Sequence, residues 1–151
     1  MLKKGDNVPS FSLEGSDGKT VSSDSLKGTR YVIYFYPKDL TSGCTKEAIE
    51  FSELVDQFKA QDVAIYGVSP DVMDKHHQFI EKHDLKITLL SDPENKASSA
   101  FFAYGEKSMY GRKYMGIIRS TFVVSREGII EEAYYKVKAS GHAKKVLDCI
   151  L

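Results

Sequence analysis

The segment Tyr31-Val32-Ile33-Tyr34-Phe35-Tyr36 is apolar at every position and stops at Pro37. A strand with one wet face alternates apolar and polar residues. A run without alternation belongs to a strand covered on both faces. This segment therefore demands the middle of a sheet, with a layer above it and a layer below. Beyond it, Ala48, Phe51, Leu54, Val55 and Phe58 recur at helical spacing and predict an amphipathic helix over roughly 44–60. Val63-Ala64-Ile65-Tyr66-Gly67-Val68 is a second run of the same buried kind. Strand, helix, strand in this order is a βαβ unit, so the two strands run parallel and the crossover is right-handed.

The remaining segments attach to this unit. Phe11-Ser12-Leu13 and Thr20-Val21 flank the turn residues Gly15-Ser16-Asp17-Gly18 and predict an N-terminal β-hairpin. Ser23 or Asp24 caps a short helical turn that Gly28 ends. Ser69-Pro70-Asp71 and Asp92-Pro93-Glu94 each read as a helix start, with proline in the first turn and an acid near the positive end of the dipole. The first of these helices runs to about His83. The second shows Ala97, Ala100, Phe101 and Tyr104 on one face, and Ile87-Thr88-Leu89-Leu90 lies between the two as a short strand. The stretch from Gly105 to Gly116 reads as a loop. Ser120 to Val124 and Ile129 to Val137 read as strands around Arg126-Glu127-Gly128, before a last helix with Ala143, Val146, Leu147 and Ile150 on one face. The expectation is one α/β domain over residues 1–151, with a mixed central sheet flanked by helices. A terminal hairpin after a parallel core makes it thioredoxin-like.

Composition narrows the function classes. Lys plus Arg and Asp plus Glu both number 21, so the formal net charge is zero, which argues against nucleic acid held by bulk charge. No apolar run approaches the roughly 20 residues of a membrane span. The lysines near the start precede no apolar stretch, so a secretory signal is not expected and a cytoplasmic address is. Of the two cysteines, Cys44 and Cys149, neither belongs to a Cys-x-x-Cys, and no Cys/His cluster has zinc spacing. His76, His77 and His83 share one predicted helix but lack a fourth ligand, and read as surface or boundary residues. No metal and no cofactor is expected.

In open α/β sheets, chemistry gathers beyond the carboxyl ends of the parallel strands. Pro37 to Cys44 is the loop after the first central strand, and it delivers Cys44 to the first turn of the long helix. Free N–H groups and the positive dipole end favour a thiolate there. A small buried apolar cysteine is the alternative use of that position. A Cys–His hydrolase would need a histidine that nothing places beside Cys44, and Glu50 stands where a phosphatase loop needs arginine.

The run Phe35-Tyr36-Pro37-Lys38-Asp39-x-Thr41-x-Gly43-Cys44-Thr45-x-Glu47-Ala48 resembles the signature of peroxiredoxins, most closely the bacterioferritin-comigratory (Q-type) class of thiol peroxidases. Gly116-Ile117-Ile118-Arg119-Ser120-Thr121-Phe122-Val123 resembles that family's arginine-bearing strand. The similarity also takes in Gly67-Val68-Ser69-Pro70-Asp71 and Leu90-Ser91-Asp92-Pro93. The resemblance implies a peroxidase that reduces hydrogen peroxide and alkyl hydroperoxides. Cys44 is then the nucleophile, Arg119 its cationic partner, Thr41 the residue that orients the peroxide, and Pro37 the pocket wall. Glu47 orients Arg119. The implied reductant is thioredoxin, glutaredoxin or a small thiol.

One departure from the pattern matters. Many members carry a second cysteine five residues after the first, and here that position is Ile49. Cys149 is the other thiol of the chain, and helical spacing puts it on the flank of its helix's apolar face. A one-cysteine cycle with an external thiol is therefore the main expectation. Resolution by Cys149, within one molecule or between two, is the alternative, as is a peroxide sensor. Met109, Tyr110, Tyr114 and Met115 either line the pocket mouth or pack a loop.

Overall fold

The computed structural model describes all residues from Met1 to Leu151. Its strands are β1 (Ser12–Gly15), β2 (Thr20–Ser22), β3 (Arg30–Phe35), β4 (Val63–Ser69), β5 (Thr88–Ser91), β6 (Tyr104–Met109), β7 (Arg112–Ile117), β8 (Ser120–Val124) and β9 (Ile130–Tyr134). Its helices are α1 (Ser42–Glu53), α2 (Val55–Ala60), α3 (Met73–His83), α4 (Lys96–Ala100) and α5 (His142–Ile150). Seven strands form the main sheet in the order β2-β1-β5-β4-β3-β8-β9. β3, β4 and β5 are parallel, while β8 pairs with β3 and β1 with β5 in the antiparallel sense. The thioredoxin-like α/β expectation and the N-terminal hairpin both hold.

The all-apolar run does what its pattern requires. Tyr31 to Tyr36 are each at most 1 % exposed. Their side chains divide by the strand period of two. Val32, Tyr34 and Tyr36 join α1, α2, α3 and α5 in one core layer. Tyr31, Ile33 and Phe35 join Phe101, Phe122 and the N-terminal segment in the other. Gly67 on β4 is needed here, because a Cβ there would meet the Tyr34 ring at 2.8 Å.

Four expectations are corrected. The helix over 44–60 is two helices. Leu54 lies outside helical geometry at φ −97° and ψ 2°, and its N–H reaches Phe51 O as well as Ser52 O, a tightened turn that lets Phe51 and Phe58 both face the core. The helix expected at Ser69-Pro70-Asp71 begins only at Met73, because the Asp71 carboxylate is engaged by Ser69 Oγ and by the Asp39 N–H. The helix after Asp92 is the short α4, which ends before Tyr104. Asp92 does act at its start, accepting from the N–H groups of Ala97 and Ser98.

The stretch Gly105–Gly116 is not a loop. It lies in the β6–β7 hairpin, turned by Tyr110 and Gly111, both at positive φ. Two left-handed turn residues match the twist of paired strands, but Tyr-Gly is a rarer choice than Asn-Gly. The hairpin also leaves most residues exposed on both faces, so it carries no apolar alternation to read.

Candidate active site

β3 ends at Phe35, and the chain crosses to α1 through Tyr36 to Thr41. Thr41 is the N-cap of α1 in extended geometry, and its carbonyl accepts the first helical bond, from the Thr45 N–H. The N–H groups of Ser42, Gly43 and Cys44 precede that bond and have no helical carbonyl to donate to. Cys44 shares this first turn with them and is buried at 2 % exposure. The Thr41 hydroxyl caps none of them, since it donates to Lys38 O at 2.8 Å.

Arg119 arrives from a different part of the fold. It sits between β7 and β8, and β8 lies beside β3 in the sheet. Its Nη2 donates to Cys44 Sγ at 3.2 Å, and its Nη1 to Glu47 Oε1 at 2.6 Å. A Cβ on Gly43 would meet the same Nη2 at 3.4 Å, so the loop backbone lies directly against the guanidinium. Burial works against the Arg119 charge, but Glu47 and the Cys44 sulfur outweigh it and raise its pKa. The guanidinium is a fixed cation bonded to the Cys44 sulfur on one side and the Glu47 carboxyl on the other.

Glu47 is fully buried, and its second oxygen, Oε2, has no partner. Burial pushes its carboxyl up to about 7, against the opposing pull of Arg119. Behind it the Tyr34 ring stacks on Phe51 at 4.7 Å, with its hydroxyl also buried and unpartnered. Pro37 is half-buried at the start of the loop. The structure thus brings Cys44, Glu47 and Arg119 into one bonded cluster, with Thr41 and Pro37 on the loop that leads into it.

Cys149 is elsewhere. It lines an open pocket with Lys4, Arg30, Val123 and Glu127, at the end of β3 where that strand begins. Cys44 lies beyond the end where β3 finishes. The Cys149 sulfur accepts from the Tyr134 hydroxyl, and neither that bond nor its pocket includes Cys44. Both thiols are free.

Two features went unseen in the sequence. His76, expected at the surface or a boundary, has no exposure at all, and its Nδ1 lies 2.6 Å from Asp39 Oδ2. Their separation in the chain hid the pair. His77 is exposed as expected, and His83 is half-buried. Lys107, on β6, is a second cation near the cluster. Burial and then Arg119 lower its pKa, while Cys44 opposes them. Met109, Tyr110, Tyr114 and Met115 stand exposed on the β6–β7 hairpin, with the Lys107 ammonium 5.9 Å from the Tyr114 ring centre.

The AhpC/TSA family model matches residues 4–133. The chain is 42% identical over 149 residues to peroxiredoxin Bcp of Bacillus subtilis, covering 99% of this chain and 95% of that one. Its fold is similar to peroxiredoxin Q of Xanthomonas campestris, with a TM-score of 0.88 and 40% identity over 93% of this chain and 89% of that one. A second solved form from that organism concerns the alkyl peroxide reduction activity of its bacterioferritin comigratory protein. It aligns with a TM-score of 0.87 and 39% identity over 93% of this chain and 89% of that one.

Proposed function

The chain belongs to the AhpC/TSA family, among peroxiredoxins of the Bcp and Q type, and on that premise we propose that it reduces hydrogen peroxide and alkyl hydroperoxides through Cys44. The observation that carries this reading is the 3.2 Å contact of Arg119 Nη2 with a buried Cys44 Sγ at the first turn of α1. A guanidinium and a helix N-terminus both favour the anionic form of sulfur.

The thiolate attacks the terminal peroxide oxygen. A sulfur–oxygen bond forms, the oxygen–oxygen bond breaks, and sulfur is oxidised by two electrons to a sulfenic acid. The leaving alkoxide or hydroxide takes up a proton. Arg119 stabilises the thiolate and then the departing oxygen, for which a fixed planar fork suits better than an ammonium. The unpaired N–H groups of Gly43 and Cys44 face the same developing charge. The Thr41 hydrogen is committed to Lys38 O, so towards the pocket Thr41 can only accept, which orients the peroxide O–H. Pro37 walls the pocket. Glu47 holds Arg119 in register.

An external thiol closes the cycle. The position of Ile49 offers no sulfur. A disulfide needs Cα atoms within about 7 Å, whereas Cys44 is buried in the first turn of α1 and Cys149 is exposed in a separate pocket beside Arg30, where β3 begins. Thioredoxin, glutaredoxin or a small thiol supplies the two electrons, releasing water and its own disulfide. No helix is long and apolar enough to cross a membrane, and a cytoplasmic site of action fits this reductant supply. The deciding experiment is peroxide turnover with excess thioredoxin system. Sustained consumption is expected, whereas arrest after one equivalent would mark a sensor and overturn the reading.

A further inference from the structure

The loop from β3 to α1 contains one residue in a conformation that leucine rarely takes. Leu40 has φ +65°, in the left-handed region. Such a residue persists only where its surroundings over-determine it. The neighbour that does so is Asp39, which is buried. Asp39 Oδ1 accepts from the Tyr36 hydroxyl at 2.5 Å, and its backbone N–H donates to Asp71 Oδ2 at 2.7 Å. Its Oδ2 lies 2.6 Å from Nδ1 of His76 on α3. His76 Nε2 lies 2.9 Å from the carbonyl oxygen of Leu90 on β5. A carbonyl oxygen only accepts, so Nε2 carries a hydrogen. The contact between Nδ1 and the carboxylate is then closed by one proton held between them. Both ring nitrogens and both carboxyl oxygens are used, and none of them is bonded to Cys44.

We propose that His76 is a positioning residue for the Cys44 reaction. Through Asp39 it clamps the loop to α3 and β5, and so sets the left-handed turn at Leu40 that leads into the N-cap at Thr41. That turn decides where the free N–H groups of Ser42, Gly43 and Cys44 point, and whether Sγ meets Arg119. The inference rests on the reading of Cys44 as the nucleophile.

The test uses the full chain, with single-turnover oxidation of Cys44 by hydrogen peroxide and the pH dependence of its alkylation. His76→Gln offers one side-chain amide where two acceptors must be served. It should slow oxidation about tenfold or more, the scale at which displaced reacting groups cost rate, and move the alkylation midpoint to higher pH. Asp39→Ala should do the same. Asp39→Asn should recover most of that loss, because a neutral His76 can keep its bond to Leu90 O and accept from the Asn amide, while the amide oxygen accepts from Tyr36. Parent rate and midpoint in folded His76→Gln overturn the clamp. If His76→Gln does not fold, the Asp39 pair decides, and equal behaviour of Ala and Asn overturns it. Peroxide consumption that survives Cys44→Ser would instead overturn the reading of the site itself.

Discussion

The two thiols of this chain are the same group in opposite surroundings. Cys44 is buried in the first turn of α1, among residues whose N–H groups lack helical acceptors, and touches the Arg119 guanidinium. Cys149 is exposed in the last turn of α5, where the negative end of the helix dipole opposes an anion. Its sulfur accepts from the Tyr134 hydroxyl at 2.9 Å, a neutral donor. Burial, and after it this hydrogen bond, push the Tyr134 pKa upward, so the phenol keeps its proton. On the proposed reading, the difference teaches that reactivity follows from helix polarity and from a cation brought in by the β7–β8 connection, not from cysteine itself.

The comparison can be broken most directly by exchanging each sulfur for oxygen. Cys44→Ser should abolish peroxide consumption, because a serine hydroxyl is hardly ionised near neutral pH. Residual activity measured by peroxide loss would refute the assignment. Arg119→Ala should slow oxidation of Cys44 about 10²–10³-fold, the usual cost of one preorganised donor to a developing anion. Arg119→Lys should recover only part, as an ammonium has no fork. A parent rate in Arg119→Ala would show that the 3.2 Å contact carries no chemistry. Thr41→Val should cost less, on the order of tenfold for one lost hydrogen bond, and Thr41→Ser less again. Stopped-flow rates that rank the serine variant below the valine variant would exclude the hydroxyl as the working group.

Stability against pH sharpens the same contrast. The folded Glu47 carboxyl titrates at about 7 against an ordinary 4.5, so the folded chain keeps a proton that the unfolded chain releases. Its contribution to stability therefore falls as pH rises through that window. His142 works the other way. Burial first, then Lys145 and Arg119, lower it to about 4, so the unfolded chain binds the extra proton and stability rises with pH up to about 6.5. The two offset each other in the parent. Glu47→Gln should unmask the rise, a gain on the order of a few kcal/mol at ~1.4 kcal/mol for each tenfold change in proton affinity. Urea midpoints at about pH 5 and about pH 7 measure it, and equal differences in parent and variant would dismiss it. Cys149→Ser should change least of all, keeping most turnover with either thioredoxin or a small thiol. A collapse with both reductants, while Cys44 still reacts once, would make Cys149 the resolving residue.

Patterns that are local in the chain were legible, and pairings that depend on long closure were not. Tyr31 to Tyr36 read as a central strand, because large apolar or aromatic side chains fill every position without polar alternation, and Pro37 marked its end. The spacing from Ala48 to Phe58 signalled helix, though not the break at Leu54, and so placed Cys44 in a first turn. The motif around Cys44 and the run around Arg119 pointed to the peroxiredoxins. That Arg119 Nη2 reaches Sγ, and that Glu47 takes the other nitrogen, was decided by β8 pairing with β3 across the sheet. The burial of His76 against Asp39 was likewise decided by the docking of α3, since a histidine among polar helix residues looks the same whether its face is wet or closed. The β6–β7 hairpin had no signal at all, because strands exposed on both faces need no apolar period. Local sterics and the hydrophobic period are written residue by residue, while the meeting of a guanidinium, a thiol and a carboxyl needs the whole sheet to close first.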